Sequence, residues 1–138
     1  MTRDQILAFL GAGAPTAHLA TVRADGRPHV APIWFVVDGE DLVFVTNSSS
    51  VKARNLRRNG YAAVSVDDPH PPFSFAVVEG PVRLIDDMEQ VRRWGEIGAA
   101  RYLGAKASAA YVSSEQFPDD LLGRLTADRM TGIADLSD

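Results

Sequence analysis

Two rhythms of apolar and polar residues run along the chain. Alternating or β-branched runs, bounded by Gly, Pro, Asp or Asn, recur in "HLATV", "HVAPIWFVV", "DLVFVT", "YAAVSVD", "FSFAVVEGPVRLI" and "LLGRLT", and such runs read as strands. Asp25-Gly26 and Asp38-Gly39 separate the first three. Each is a tight-turn dipeptide, so the spacing predicts a three-stranded meander. In its first strand Leu19, Thr21 and Arg23 face one way, and His18, Ala20 and Val22 the other. Pro28 fits a strand start, whereas Pro32 interrupts the second strand and places it at an edge or bulge, a distortion of the kind that borders a site. Further on, "DDPHPP" reads as a loop, Gly80-Pro81 as a kink in a long strand, and Ala127-Asp128 as the turn between two final strands.

Three segments carry a helical rhythm instead. Thr2 and Gln5 have capping-box spacing, which predicts a helix from Arg3 to Leu10 that stops at Gly11. A serine among Ser48–Ser50 caps a short basic helix, and Asn59-Gly60 ends it. Met88, Val91, Trp94 or Gly95, and Gly98 form one face of a third, amphipathic helix. The stretch from Ala105 to Pro118 fits neither rhythm. About six or seven strands with three helices predict a small, mostly antiparallel barrel. Residues 1–138 are expected to form one domain.

Composition narrows the chemistry. With 46% hydrophobic and 23% charged residues the chain is globular. A net charge of -4 argues against nucleic acid as a partner, which normally leaves a basic footprint. The absence of cysteine removes disulfides, thiol nucleophiles and thiolate metal sites. No signal-peptide core and no run of about 18 apolar residues is present, so the expectation is a cytoplasmic protein without a membrane partner.

Against that acidic background, "TNSSSVKARNLRRNG" gathers Lys52, Arg54, Arg57 and Arg58 behind a row of hydroxyls. The first turn of a helix offers unpaired N–H groups and a positive dipole end, and with serine and lysine it makes an anion site. In that geometry Ser48, Ser50 and Lys52 hold a phosphate, and Arg54 or Asn55 adds donors. A plain solvated helix face and a nucleic-acid contact are the competing readings. Other chemistry is thinner. His18, His29 and His70 share no metal-ligand spacing, so no metal is expected. The pairs Asp67-Asp68, Asp86-Asp87 and Asp119-Asp120 sit where carboxylates cap turns and helices. The serines have no triad partners, and no glycine-rich nucleotide motif occurs.

Taken in order, "LATVRADGRPHVAPIWFVVDGEDLVFVT", "SVKARNLRRN", "AAVSVDD" and "FAVVEGPVRLI" resemble the split β-barrel flavin and deazaflavin oxidoreductases, which include the pyridoxamine phosphate oxidase-like proteins and relatives that use coenzyme F-420. The resemblance spans about residues 16 to 86. It implies a six-stranded antiparallel split barrel (mostly β with helices), a homodimer with the cofactor at the subunit interface, and coenzyme F-420 or FMN as that cofactor. Lys52 would then bind the cofactor phosphate, with Ser50 and Asn55 nearby and Arg54 as a further donor. Val30, Ala31, Pro32, Ile33 and Trp34 would lie along the ring system, and Thr46 and Asn47 would line the same cleft. The implied activity is hydride transfer to or from a small organic substrate, with no catalytic side chain nominated; the alternative is a non-catalytic cofactor store or sensor. The ending "DRMTGIADLSD" lacks the arginine-and-tryptophan tail of authentic pyridoxamine phosphate oxidases, which places vitamin B6 oxidation in doubt and draws the chain towards the deazaflavin branch.

Overall fold

The computed structural model describes residues 1–106 and 119–137. Most of the unassigned stretch from Ala105 to Pro118 therefore lies outside the described residues. Among the described residues eleven elements follow in order: α1 (Arg3–Gly11), β1 (Ala17–Val22), β2 (Pro28–Ile33), β3 (Val36–Asp38), β4 (Asp41–Asn47), α2 (Val51–Arg58), β5 (Tyr61–Asp68), β6 (Ser74–Ile85), α3 (Met88–Leu103), β7 (Asp120–Thr126) and β8 (Arg129–Ile133).

All the strand pairs are antiparallel, and they run in the order β2-β1-β5-β6-β7-β4-β3, with β8 also on β6. The two ends of that path, β2 and β3, are consecutive in the chain and separated only by Trp34 and Phe35. A sheet whose first and last strands are joined by two residues has to curl. The result is a split barrel, mostly β with three helices among the described residues, as the sequence leads one to expect. Eight strand segments appear because the second strand of the expected meander is cut into β2 and β3, each belonging to a different half of the barrel. Pro32 itself stays in the ladder, opposite His18. It is tolerated because β2 is an edge strand, where a missing N–H costs no ladder bond.

Strand β6 holds the two halves together. Residues 74–81 pair with β5, and residues 82–85 pair with β7. The change of partner falls at Gly80-Pro81, the predicted kink.

Packing explains the burial patterns. In β1 Ala17, Leu19 and Thr21 are buried while the alternate residues are more open, the expected half-buried strand. In β4 Leu42, Val43 and Phe44 are all buried, because Leu42 and Phe44 join the barrel core while Val43 meets α3 outside it. The capping box of α1 forms as predicted, and the helix carries Ile6 and Leu10 into the core at 1% and 0% exposure. The buried line of α3 is Val91, Gly95 and Ala99, spaced four apart, and Met88 is exposed rather than part of it.

Candidate functional site

Where β2 gives way to β3, an open cleft of about 380 Å³ lies between the sheet and α3. Its wall is built from Pro32 to Val36, its floor from Val43, Phe44 and Val45 of β4, and its roof from Trp94, Gly95, Gly98, Ala99 and Leu103 of α3. At the rim stands Lys52, which carries the sole charge among the described lining residues. The volume suits a small ligand, and an apolar cavity with few polar groups is the usual form of a binding site.

Helix α2 aims Lys52 by a set of local bonds. Ser50 is the cap: its Oγ accepts from the Ala53 N–H at 3.1 Å and shares a 2.9 Å bond with Thr46 Oγ1. Asn47 turns the chain, its Oδ1 accepting from the Ser49 N–H at 2.9 Å. The Ser48 N–H donates to Asp119 O, which ties the turn to the start of β7. Alongside, burial raises the pKa of the Asp120 carboxyl, opposed by its hydrogen bond with Asn47. The orphan N–H groups at Val51 and Lys52 are the ones the cap does not reach.

Asn55 anchors the same helix from below. It is 4% exposed; its Nδ2 donates to Thr21 Oγ1 at 3.0 Å, and its Oδ1 accepts from Arg58 Nη2 at 2.9 Å. Arg58 also reaches Val22 O at 3.0 Å. Asn55→Ala is expected to lower stability by about 1–3 kcal/mol, since it strands the buried Thr21 hydroxyl. Chemical denaturation of the two proteins checks this.

The structure thus brings Pro32, Ile33, Trp34 and Lys52 to the cleft. Val30 points outward from the edge strand at 61% exposure, and Ala31 beside it is half-buried. Thr46 is buried under Ser50, Asn47 and Arg54 are exposed, and the Asn55 amide is occupied by Thr21 and Arg58. None of these six, nor Ser50, lines the cleft. Sequence reasoning missed the α3 roof. Its one signal was the density of small residues in "WGEIGAA", since glycine weakens a helix by about 1 kcal/mol and therefore implies a use.

Gly98 shows what that use is. A Cβ added there would meet only Val36 Cγ2, at 3.8 Å, so no clash demands the glycine. Its missing side chain leaves room in the cleft. Gly98→Ala is expected to stabilise the protein by up to about 1 kcal/mol through helix propensity, while Gly98→Leu fills the cleft and weakens ligand binding. Thermal melts and ligand titrations separate the two effects.

Two cations lie over the Trp94 ring, with Arg93 5.4 Å and Arg124 5.7 Å from its centre. Arg124 is fixed in turn by Asp38 at 2.9 Å and Asp41 at 3.1 Å. Among the described residues no three His, Cys, Asp or Glu side chains gather as a metal site. No helix there is long and apolar enough to cross a membrane.

A curled antiparallel sheet, split at one strand, with an apolar cleft at the split and a cation on its rim, defines the class of split-barrel proteins. The chain belongs to the pyridoxamine 5'-phosphate oxidase family, whose model matches residues 2–134. It is similar to the F-420H2-dependent biliverdin reductase of Mycobacterium tuberculosis, at 31% identity over 137 residues, covering 98% of this chain and 90% of that protein. A shorter match, 35% identical over 74 residues, relates 53% of the chain to 31% of a pyridoxine/pyridoxamine 5'-phosphate oxidase of Pseudomonas entomophila. Among solved structures, a conserved hypothetical protein of M. tuberculosis superposes with a TM-score of 0.83 at 25% identity, covering 96% of this chain and 84% of that one.

Proposed function

We propose that this protein is an oxidoreductase that binds FMN or coenzyme F-420 in the cleft and transfers hydride to or from a small organic molecule. The observation that carries the reading is Lys52, at the N-terminus of α2, the one charge among the described residues that line a largely apolar cleft. A flat ring system bearing a phosphate matches that arrangement. The phosphate meets an ammonium and the orphan N–H groups at Val51 and Lys52, and the ring meets apolar walls. The stretch from Pro32 to Trp34, at the end of the edge strand, supplies the wall on which the ring lies, and Val30 and Ala31 continue that strand outside the cleft. Thr46, Asn47, Ser50 and Asn55 act one step back, shaping the turn and helix that present Lys52. Exposed Arg54 stands free for an acidic extension of the F-420 kind.

The bound cofactor would supply the hydride chemistry; the protein binds it, orients it and excludes water. No side chain of the chain needs to exchange a proton. Family relatives named for F-420 and for pyridoxamine phosphate oxidation support the cofactor class and leave the choice between the two open.

A homodimer completes the site. The outward face of edge strand β2 carries Val30 at 61% exposure beside the cleft, an apolar surface that a second copy would cover.

The test is a spectrum. Protein freshly purified from a host that makes both cofactors is expected to show flavin or deazaflavin absorbance, with FMN or F-420 identified by mass after release. Binding of neither, in titrations reaching high micromolar concentration, would overturn the proposal. Tight binding without turnover of any acceptor would leave a store or sensor. Sedimentation is expected to show a dimer at micromolar concentration.

A further inference from the structure

The wall of the cleft contains a stretch of backbone that the sheet does not hold. The β1–β2 ladder ends at Ile33 and the β3–β4 ladder starts at Val36. Between them, Trp34 and Phe35 have no ladder partner, yet Phe35 is 1% exposed. Such a break would be free to wander unless other groups took its N–H and C=O.

Two consecutive residues in the last turn of α3 take them. Tyr102 Oη accepts from the Phe35 N–H at 3.2 Å and donates to Pro15 O at 2.7 Å. The Arg101 guanidinium donates three ways: to Phe35 O at 2.6 Å, to Leu10 O at 2.7 Å and to Gly13 O at 3.0 Å. Its charge also lies 4.8 Å from the centre of the Phe35 ring and 5.4 Å from that of Tyr102. Finally, the Tyr102 ring stacks on the Trp34 indole, 4.7 Å between centres and 4° from parallel.

We propose that Tyr102 and Arg101 are positioning residues for the cleft. Together they fix the strand break and set the plane of the Trp34 ring, so that its uncovered face forms a rigid wall for a planar conjugated ligand. Neither residue lines the cleft; both act through Trp34 and Phe35. The stack covers one face of the indole, and Trp34 as a residue still stands 49% exposed while lining the cleft. An indole already immobilised loses little further freedom when a ring docks against it, which favours binding. The ligand part of the inference rests on the reading of the cleft as a cofactor site; the positioning part is tested without any ligand.

The parent for the test is a Trp94→Phe protein, which leaves Trp34 as the single tryptophan of the chain's two. Without ligand, acrylamide quenching of Trp34 is expected to rise roughly twofold or more in Tyr102→Leu and to return to the parent value in Tyr102→Phe, which keeps the stacked ring. Titration with FMN and with riboflavin, which shares the ring but lacks the phosphate, follows on the same proteins. Tyr102→Leu and Arg101→Lys are expected to weaken both ligands by the same factor, about three- to tenfold, whereas Lys52→Ala weakens FMN alone. Thermal midpoints are measured for every variant, and all titrations are run below them. Should Tyr102→Leu fail to fold, Arg101→Lys carries the same two readouts.

Unchanged quenching, or unchanged affinity for both ligands in a folded variant, overturns the inference. Failure of the cofactor reading looks different: neither FMN nor F-420 binds the unmutated protein, with both tryptophans in place. In that case the quenching series decides alone, a rise that Phe restores supporting the positioning role and a flat series ending it.

Discussion

Gly80→Ala is expected to lose about 3 kcal/mol of stability or more, a drop in melting temperature of roughly 10 °C for a chain of this size. Gly80 lies where β6 leaves β5 for β7, directly beneath the β7–β8 turn. A Cβ at that position would fall onto the carbonyl oxygen of Thr126, with the Thr126 carbonyl carbon at 2.9 Å and Ala127 Cα at 3.1 Å. All three are backbone atoms, so no rotamer change relieves the clash. The turn cannot simply lift, because the Asp128 N–H donates to Glu79 O at 3.0 Å one residue away. One methyl group therefore has to part the strand that joins the two halves of the barrel. Thermal unfolding followed by circular dichroism measures the effect; a shift of less than a few degrees would show that the β7–β8 turn yields far more easily than its bonds suggest.

Lys52→Ala is expected to weaken cofactor binding by about 1.5–3 kcal/mol, or tenfold to 150-fold, the usual worth of a hydrogen bond to a charged group. The size follows from its isolation. Lys52 is the one charge among the described residues lining the cleft, so no neighbour on that lining substitutes for it. Arg54 and Arg57 are exposed on the same helix, and Arg58 is committed to Val22 and Asn55. The loss should shrink as salt rises, because a rim charge is partly screened. Lys52→Arg should recover most of the affinity. Fluorescence titration with FMN and F-420 checks both statements, and an Ala variant that binds like the parent would move the phosphate elsewhere.

Local signals carried much of the fold. The Thr2–Gln5 box, a serine cap among Ser48–Ser50, both Asp-Gly turns and a special point in the long strand at Gly80-Pro81, where β6 changes partner, are legible, because each depends on residues a few positions apart. Pro32 pointed to an edge strand for the same reason. The break that matters sits two residues later, and nothing in "IWFVV" announces it. There the Phe35 backbone bonds to Tyr102 and Arg101, more than 60 residues away, instead of to a neighbouring strand.

The candidate site divides along the same line. Lys52 was visible as a lysine behind serines at a helix start. The α3 roof was hidden, since glycines spaced along a helix show that something fits there without showing what. Asn55 looked like one more donor beside Lys52 on a helix face; the fold spends its amide on Thr21 of β1 instead.

Near-neighbour patterns thus account for most of the strands, the caps and a local cationic centre in an acidic chain, because periodicity and capping are set by residues close in the chain. Which of those residues meet is a matter of how the sheet closes and the helices pack. Closing the sheet through Trp34-Phe35 and laying α3 across β4 bring Pro32, Lys52 and Gly98 around one cavity, and such contacts between distant segments leave no period or spacing to read.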